Sequence, residues 1–186
     1  MIDWDWVFRP TALKEKKMNN YQSKLADMHA CSDAIEWLEE QRFPTLQDAW
    51  DACERGDWML WLIGRTTNHN DEAQLRKLTL AKARCAKLVI HLMKDERSRN
   101  AVEVAERFGL GEATRQELDA AASSAYVAAT NTASASAYAS ADTGAAAYFT
   151  AAAAADAADA CKNMLARCAD EIRTVYPAAP KLKSRE

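Results

Sequence analysis

The residues of this chain that could do chemistry are few and poorly spaced for it. Cys53 could act as a nucleophile, but no histidine lies near it in the sequence to serve as the base. Asp57 and Glu54 could form a carboxylate pair for acid–base catalysis, although helix capping explains Asp57 better. The chain contains no glycine-rich phosphate loop, no zinc-protease motif and no nucleophile elbow. We therefore expect no catalytic residues, and an enzyme is the disfavoured interpretation.

The histidines and cysteines also lack the spacing of a metal site. His29 and Cys31 are two residues apart, which is too close for one helical face, and His91 follows Cys85 by six. Structural zinc sites use closely spaced ligand pairs that this sequence does not contain. We expect neither a metal nor a cofactor.

The cysteines and the first residues indicate the compartment. Five cysteines are an odd number, and Cys161 and Cys168 would lie roughly 10 Å apart on a helix, too far for a disulfide. Reduced thiols are typical of a cytoplasmic protein. Residues 1–10 lack a basic segment and a long apolar run, so no signal peptide is expected, and no stretch is apolar enough to span a membrane. We expect a cytoplasmic location.

Tryptophan and arginine side chains between positions 55 and 76 could line a ligand pocket. Aromatic stacking combined with guanidinium contacts is one way to hold a nucleotide. Tryptophans at helical spacing are also typical of a hydrophobic core, and both interpretations stay open here. The candidate pocket residues are Arg55, Asp57, Trp58, Trp61, Arg65 and Arg76.

Charge is unevenly distributed along the chain. The stretch from Asp27 to Asp57 has nine acidic and two basic residues, whereas Glu72 to Arg99 has three acidic and eight basic ones. These surfaces could neutralise one another, or the acidic one could receive a basic protein partner. The net charge of −3 disfavours a general nucleic-acid binder. The candidate partner-binding residues are Glu36, Glu39, Glu40, Asp48, Asp51 and Glu54.

The elements that must position these residues are predicted to be helices. Thr45 is a good N-cap, Gly56 is expected to end that helix in the left-handed conformation, and Asp57 is expected to cap the next one. Thr114 and Glu117 predict a capping box. Apolar spacing predicts helices over residues 21–41, 46–53, 58–65, 71–93 and 96–108, with further helix from 115 onward.

The most unusual segment is rich in alanine. Between Ala120 and Ala160, 22 of 41 residues are alanine, which strongly favours helix. One helix from Arg115 to Tyr176 would be about 90 Å long, more than a small domain spans, so we predict a break near Gly144. The predicted fold is all-α, a compact multi-helix bundle with a C-terminal alanine-rich helical hairpin.

The predicted organisation has three parts. Residues 1–18 form an extended N-terminal arm, residues 19–177 a single helical domain, and residues 178–186 a loose tail. The aromatic residues Trp4, Trp6 and Phe8 of the arm need a groove on this chain or on a second copy. A homodimer through the arm or through the alanine-rich helices would bury both surfaces.

Several segments together carry a family resemblance. They are ACSDAIEWL (Ala30–Leu38), TLQDAWDACERGDWMLWLIG (Thr45–Gly64), HLMKDERSRNAVEVAERFGLGEATRQELDAA (His91–Ala121) and CADEIR (Cys168–Arg173). The chain resembles, over roughly Ser23–Tyr176, a family of immunity proteins from bacterial polymorphic-toxin systems, which also occur in phage and prophage. The resemblance implies a small helical binding protein and supplies no catalytic residues.

Two functions follow as expectations. The first is an immunity-type inhibitor that neutralises a toxin or effector by direct binding, without enzymatic activity. The alternative is a phage-encoded anti-defence protein that blocks a bacterial immune complex or sequesters a nucleotide-derived signalling molecule. Neither function requires a membrane or a nucleic acid as partner.

Overall fold

The described part of the protein is helical. A computed structural model describes residues 20–130 and 158–182. Those ranges contain no strand, which confirms the all-α class. Their eight α-helices are α1 (Asn20–Asp27), α2 (Ser32–Gln41), α3 (Leu46–Ala52), α4 (Gly56–Thr66), α5 (Glu72–Lys87), α6 (Glu96–Leu110), α7 (Arg115–Thr130) and α8 (Ala158–Val175).

The chain divides into two compact units after Arg42. In the first unit, α1 packs against α2, and Leu25 and Leu38 are buried. The side-chain amide of Gln22 donates a hydrogen bond to the Leu38 carbonyl at 3.1 Å. The second unit contains α3 to α8. The predicted bounds of the arm, the domain and the tail stay predictions.

The single helix predicted over residues 21–41 is wrong, because it is divided into α1 and α2. His29 adopts the left-handed conformation with φ 65°. Its N–H donates to the Ala26 carbonyl at 2.9 Å, and the Ala30 N–H donates to the Leu25 carbonyl at 3.0 Å. This pair of bonds is the Schellman motif that ends helices, usually with glycine at the left-handed position. A histidine there gives no sequence signal for a stop.

In the second unit, α5 is the central helix. It packs against α4, α6 and α8, and α6 packs in turn against α7. Ala81, Ala83 and Ala86 of α5 are fully buried, so neighbouring helices approach its backbone closely. The layer between α6 and α7 is built from Ala101, Val104, Phe108, Ala113, Ala121 and Ala125.

Local capping follows the sequence closely. The Thr45 hydroxyl accepts from the Asp48 N–H at 3.1 Å, and the Asp48 carboxylate accepts from the Thr45 N–H at 3.0 Å. The same reciprocal bonds join Thr114 and Glu117 at the start of α7. Both predicted helix starts are confirmed, because each side chain satisfies backbone donors that the first turn leaves unpaired.

Gly56 and Asp57 have other roles than predicted. Gly56 is the first residue of α4 and lies against α8, where an added Cβ would sit 2.6 Å from the Cys168 Cβ. Glycine is needed here for close approach of two helices. Arg55 occupies the N-cap position, and Asp57 lies in the first turn, where its carboxylate pairs with Arg55.

Two helix ends also differ from expectation. The helix predicted to reach Met93 ends at Lys87 and is followed by a 3₁₀ turn over Ile90–Leu92. The next helix, α6, continues past Phe108 to Leu110 and ends where Gly111 adopts φ 85°. The glycine that ends this helix is thus Gly111 and not Gly109.

Several predictions lie outside the described residues. The extended arm is one of them, and so is the hairpin break near Gly144, since α7 ends at Thr130 and α8 begins at Ala158. None of the helices within residues 20–130 and 158–182 combines the length and apolarity needed to cross a membrane.

Candidate functional site

Three of the six pocket candidates lie together at the start of α4. The Arg55 guanidinium donates to both carboxylate oxygens of Asp57, from Nε at 2.9 Å and from Nη2 at 2.7 Å. Its Cζ atom lies 4.2 Å from the centroid of the Trp58 ring. The cation is therefore held by a bidentate ion pair at its edge and by an aromatic ring at its face. A nucleotide would compete with the protein for both contacts.

Two further candidates continue along α4. Trp61 is half-buried one turn after Trp58, and Arg65 is exposed one turn further on. Positions separated by three and four residues share one side of a helix. Trp58, Trp61 and Arg65 therefore form one stripe on α4.

Arg76 makes its contacts elsewhere, at the junction of α5, α6 and α7. Its Nη1 donates to the Phe108 carbonyl at 2.7 Å and to the Ala113 carbonyl at 3.2 Å. Its Cζ lies 4.3 Å from the Phe108 ring centroid, and Glu72 accepts from its Nε at 2.8 Å. These contacts fasten the end of α6 and the loop before α7 to α5. In this position the guanidinium is engaged by the fold.

The six acidic candidates are divided between the two units. Glu36 and Glu40 are exposed one turn apart on α2, and Glu39 beside them is half-buried. Asp33 is exposed one turn before Glu36. We call Asp33, Glu36 and Glu40 the α2 acidic face.

The acidic candidates of the second unit are partly used by the fold. Asp48 belongs to the capping box of α3, and Asp51 accepts a hydrogen bond from the Gln47 side-chain amide at 2.8 Å. Glu54 is exposed in the short segment before α4. The α2 acidic face is therefore the more available of the two acidic groups.

The cysteine environments do not favour a thiolate. Cys53 is buried, and its Sγ lies 3.6 Å from the Arg55 carbonyl oxygen. Burial raises the pKa of the Cys53 thiol above its ordinary value. A hydrogen bond with Cys168, followed by burial, raises the pKa of Cys85. Of the described cysteines, only Cys31 is exposed.

No metal centre emerges among residues 20–130 and 158–182. No group of three or more His, Cys, Asp or Glu side chains comes together there in a way that could hold an ion. His29 is exposed, whereas Cys85 lies in the core.

Sequence reasoning missed a set of contacts made by α8 and the residues after it. The Arg173 guanidinium donates to the Trp50 carbonyl from Nη2 at 3.1 Å and also to the Cys53 carbonyl. These carbonyls belong to the end of α3, where cations bind favourably. Arg173 is more than a hundred residues from either partner, so no local pattern could have signalled it.

Compared with known proteins, the chain matches no family model, no curated protein and no solved structure. The resemblance to immunity proteins therefore stays an expectation based on the sequence segments that carry it.

Proposed function

We propose that this protein is a non-enzymatic, immunity-type inhibitor that binds a basic surface of a toxin or effector through the α2 acidic face. The proposal includes a cytoplasmic location, in keeping with the exposed thiol of Cys31. The contact would be electrostatic in its approach and would need no chemistry of the inhibitor itself.

The charge of α2 is the observation that carries this proposal. Its sequence, SDAIEWLEEQ, has four acidic residues and no lysine or arginine. Glu36 and Glu40 are like charges at positions i and i+4, which destabilise a helix by about 0.2–0.5 kcal/mol. Glu40 also lies in the last turn, where the helix dipole disfavours negative charge. A cationic partner would relieve both costs.

Among the described residues that flank α2 in the sequence, the basic ones lie outside the helix. Arg42 follows α2 as its C-cap, and Lys24 lies in the last turn of α1. The middle of the face, around Glu36, has no basic residue within its own helix. Complementary charge from a partner would therefore act mainly there.

The experiment is co-expression of the full chain with the toxin or effector encoded beside its gene. We expect the wild-type chain to protect cells, and the double variant Glu36→Lys, Glu40→Lys to bind at least tenfold more weakly, which corresponds to about 1.4 kcal/mol. The loss should shrink at high salt, because screening weakens exposed charge pairs.

A matched control comes from the other unit. Glu103 is exposed on α6, so Glu103→Lys changes an exposed carboxylate on a helix in the same way. It should leave protection and affinity unchanged. Equal protection by the double variant and the wild type would contradict the proposal, as would failure to recover any protein partner from cells that carry the locus.

The anti-defence alternative stays a prediction. Blocking of an immune complex could use the same acidic face, and the origin of the partner would distinguish the two roles. Retention of a nucleotide would have to displace Asp57 or Trp58 from Arg55. A thermal-shift screen with cyclic dinucleotides and ADP-ribose derivatives tests this version, and an unchanged unfolding temperature with all of them would contradict it.

A further inference from the structure

The residues that follow α8 are bound to α3 and α5. We call Tyr176–Pro180, with the sequence YPAAP, the C-terminal strap. The Trp50 Nε1–H donates to the Tyr176 carbonyl at 3.0 Å, and the Lys77 ammonium lies 4.3 Å from the Tyr176 ring centroid. The Tyr176 hydroxyl also forms a hydrogen bond with the Thr67 side chain, and burial raises its pKa to about 12.

The side-chain amide of Gln47 both donates a hydrogen bond to the backbone of the strap and accepts one from it. Its Nε2 donates to the Pro177 carbonyl at 3.3 Å, and its Oε1 accepts from the Ala179 N–H at 2.8 Å. A glutamine amide that both donates to and accepts from a peptide backbone imitates the pairing of one backbone with another. The Gln47 side chain is itself oriented by the bond from its Nε2 to Asp51.

The recognised features of the strap are main-chain atoms and one aromatic ring. Trp50 and Gln47 contact carbonyl oxygens and one N–H, none of which depends on the side chains of the strap. The two prolines have no N–H to satisfy and reduce the number of conformations that must be ordered on binding. Recognition of proline-containing segments by grooves with an aromatic donor works in this way.

The strap is only partly enclosed by the rest of the second unit. Pro177 and Ala178 are exposed, and Ala179 and Pro180 are only half-buried. The strap is not helical, and a few hydrogen bonds and one cation–π contact join it to the bundle. Such contacts are each weak in net terms because water competes for them. By contrast, the Trp50 side chain, which donates to the strap, is only 3% exposed.

We propose that Gln47, Trp50 and Lys77 form a binding site for proline-containing peptides, and that the strap is its resident ligand, which a partner's peptide of the same kind displaces. This site is independent of the α2 acidic face. It lies wholly within the second unit, so the proposed inhibitor function could fail while this site stands.

The test uses the full chain and a fluorescent synthetic peptide of residues 174–182, TVYPAAPKL. In the wild type the attached strap competes at a high effective concentration, so the added peptide should bind weakly. The variant Ala179→Pro removes the N–H that donates a hydrogen bond to Gln47, and it leaves Gln47, Trp50 and Lys77 unchanged. We expect fluorescence anisotropy to show at least tenfold tighter binding of the peptide to this variant.

Two changes in the Ala179→Pro background identify the site. Adding Gln47→Ala should abolish the gain in affinity for the peptide, because the peptide loses its two backbone hydrogen bonds. Adding Gln116→Ala, on the exposed face of α7, should preserve it. The proposal is overturned if Ala179→Pro binds the peptide no better than the wild type, or if Gln47→Ala leaves the gain in place.

Hydrogen exchange of the wild-type chain provides a second measurement that needs no variant. The Ala179 amide should exchange by local opening, much faster than the core amides of α5, and excess peptide should accelerate it. Exchange of Ala179 only through global unfolding would show that the strap is not displaceable and would overturn the proposal.

Discussion

At the scale of single residues, arginines make two kinds of contact, local and distant in the sequence. Arg55 meets a carboxylate two residues away, and Arg115 meets Asp119 one turn away. Arg173 and Arg76 also have a local carboxylate partner, but in addition they bind carbonyls of distant helices. The first kind is local and adds little to stability, whereas the second fixes how helices pack.

We expect Arg173→Met to lower the free energy of unfolding by about 2–3 kcal/mol, because its charged hydrogen bonds cap the end of α3 and the carbonyls would lose a partner. Urea unfolding followed by circular dichroism measures the change.

The matched control for this prediction is Arg115→Met, which removes only an exposed pair on α7. It should cost less than about 0.5 kcal/mol. Equal costs for the two substitutions would contradict the role assigned to Arg173.

Residue-scale prediction from the sequence succeeded at two helix starts, where the partners lie within four positions. Thr45 caps α3 as predicted, and Thr114 and Glu117 form the predicted capping box. It failed at His29, since only the backbone conformation distinguishes that residue from any other histidine.

At the scale of elements, the contact between α4 and α8 depends on the absence of a side chain at Gly56. An added Cβ would lie 2.6 Å from the Cys168 Cβ and 3.0 Å from the Leu165 carbonyl oxygen. Because backbone atoms are among these neighbours, relief requires that one helix move.

We expect Gly56→Ala to destabilise the protein by about 1–3 kcal/mol, the usual cost of overpacking. Gly64→Ala in the same helix should stabilise it by about 0.5–1 kcal/mol, since nothing lies within 4 Å of the added Cβ and alanine favours helix. Thermal unfolding of both variants measures the two changes in stability. If both substitutions raise the melting temperature, helix propensity and not packing governs the Gly56 position.

The helix boundaries show how well helix ends can be predicted from apolar spacing. It identified each described helix of the second unit, because apolar faces recur every three or four residues. The end at Lys87 escaped it, since apolar residues continue past that point as Leu88, Val89 and Leu92. The end at Leu110 lies two residues beyond the predicted one. Termination there depends on backbone geometry, such as the left-handed Gly111.

At the scale of the whole molecule, the described helices of the two units differ in how many residues they bury. In α1 and α2 the buried residues are Gln22, Leu25 and Leu38. In the second unit the central helix α5 alone buries seven residues. Helices of eight and ten residues are marginal by themselves, so α1 and α2 have less burial to stabilise them than α5 has.

We expect the amides of α1 and α2 to exchange with solvent at least tenfold faster than those of α5 and α6, by local opening. Hydrogen–deuterium exchange of the full chain, followed by mass spectrometry, measures this difference. Equal protection in the two units would contradict it and would indicate one cooperative unfolding unit.

The sequence by itself determined the helical class, the capped helix starts and the acidic character of α2. These features arise from intrinsic propensity, from bonds between residues within four positions and from charge, none of which needs the rest of the chain. Tertiary structure alone decided that Arg173 caps α3, that Gly56 serves close approach and that the C-terminal strap lies on Gln47 and Trp50. Such contacts join residues more than a hundred positions apart, and their geometry follows from the packing of all the helices between them.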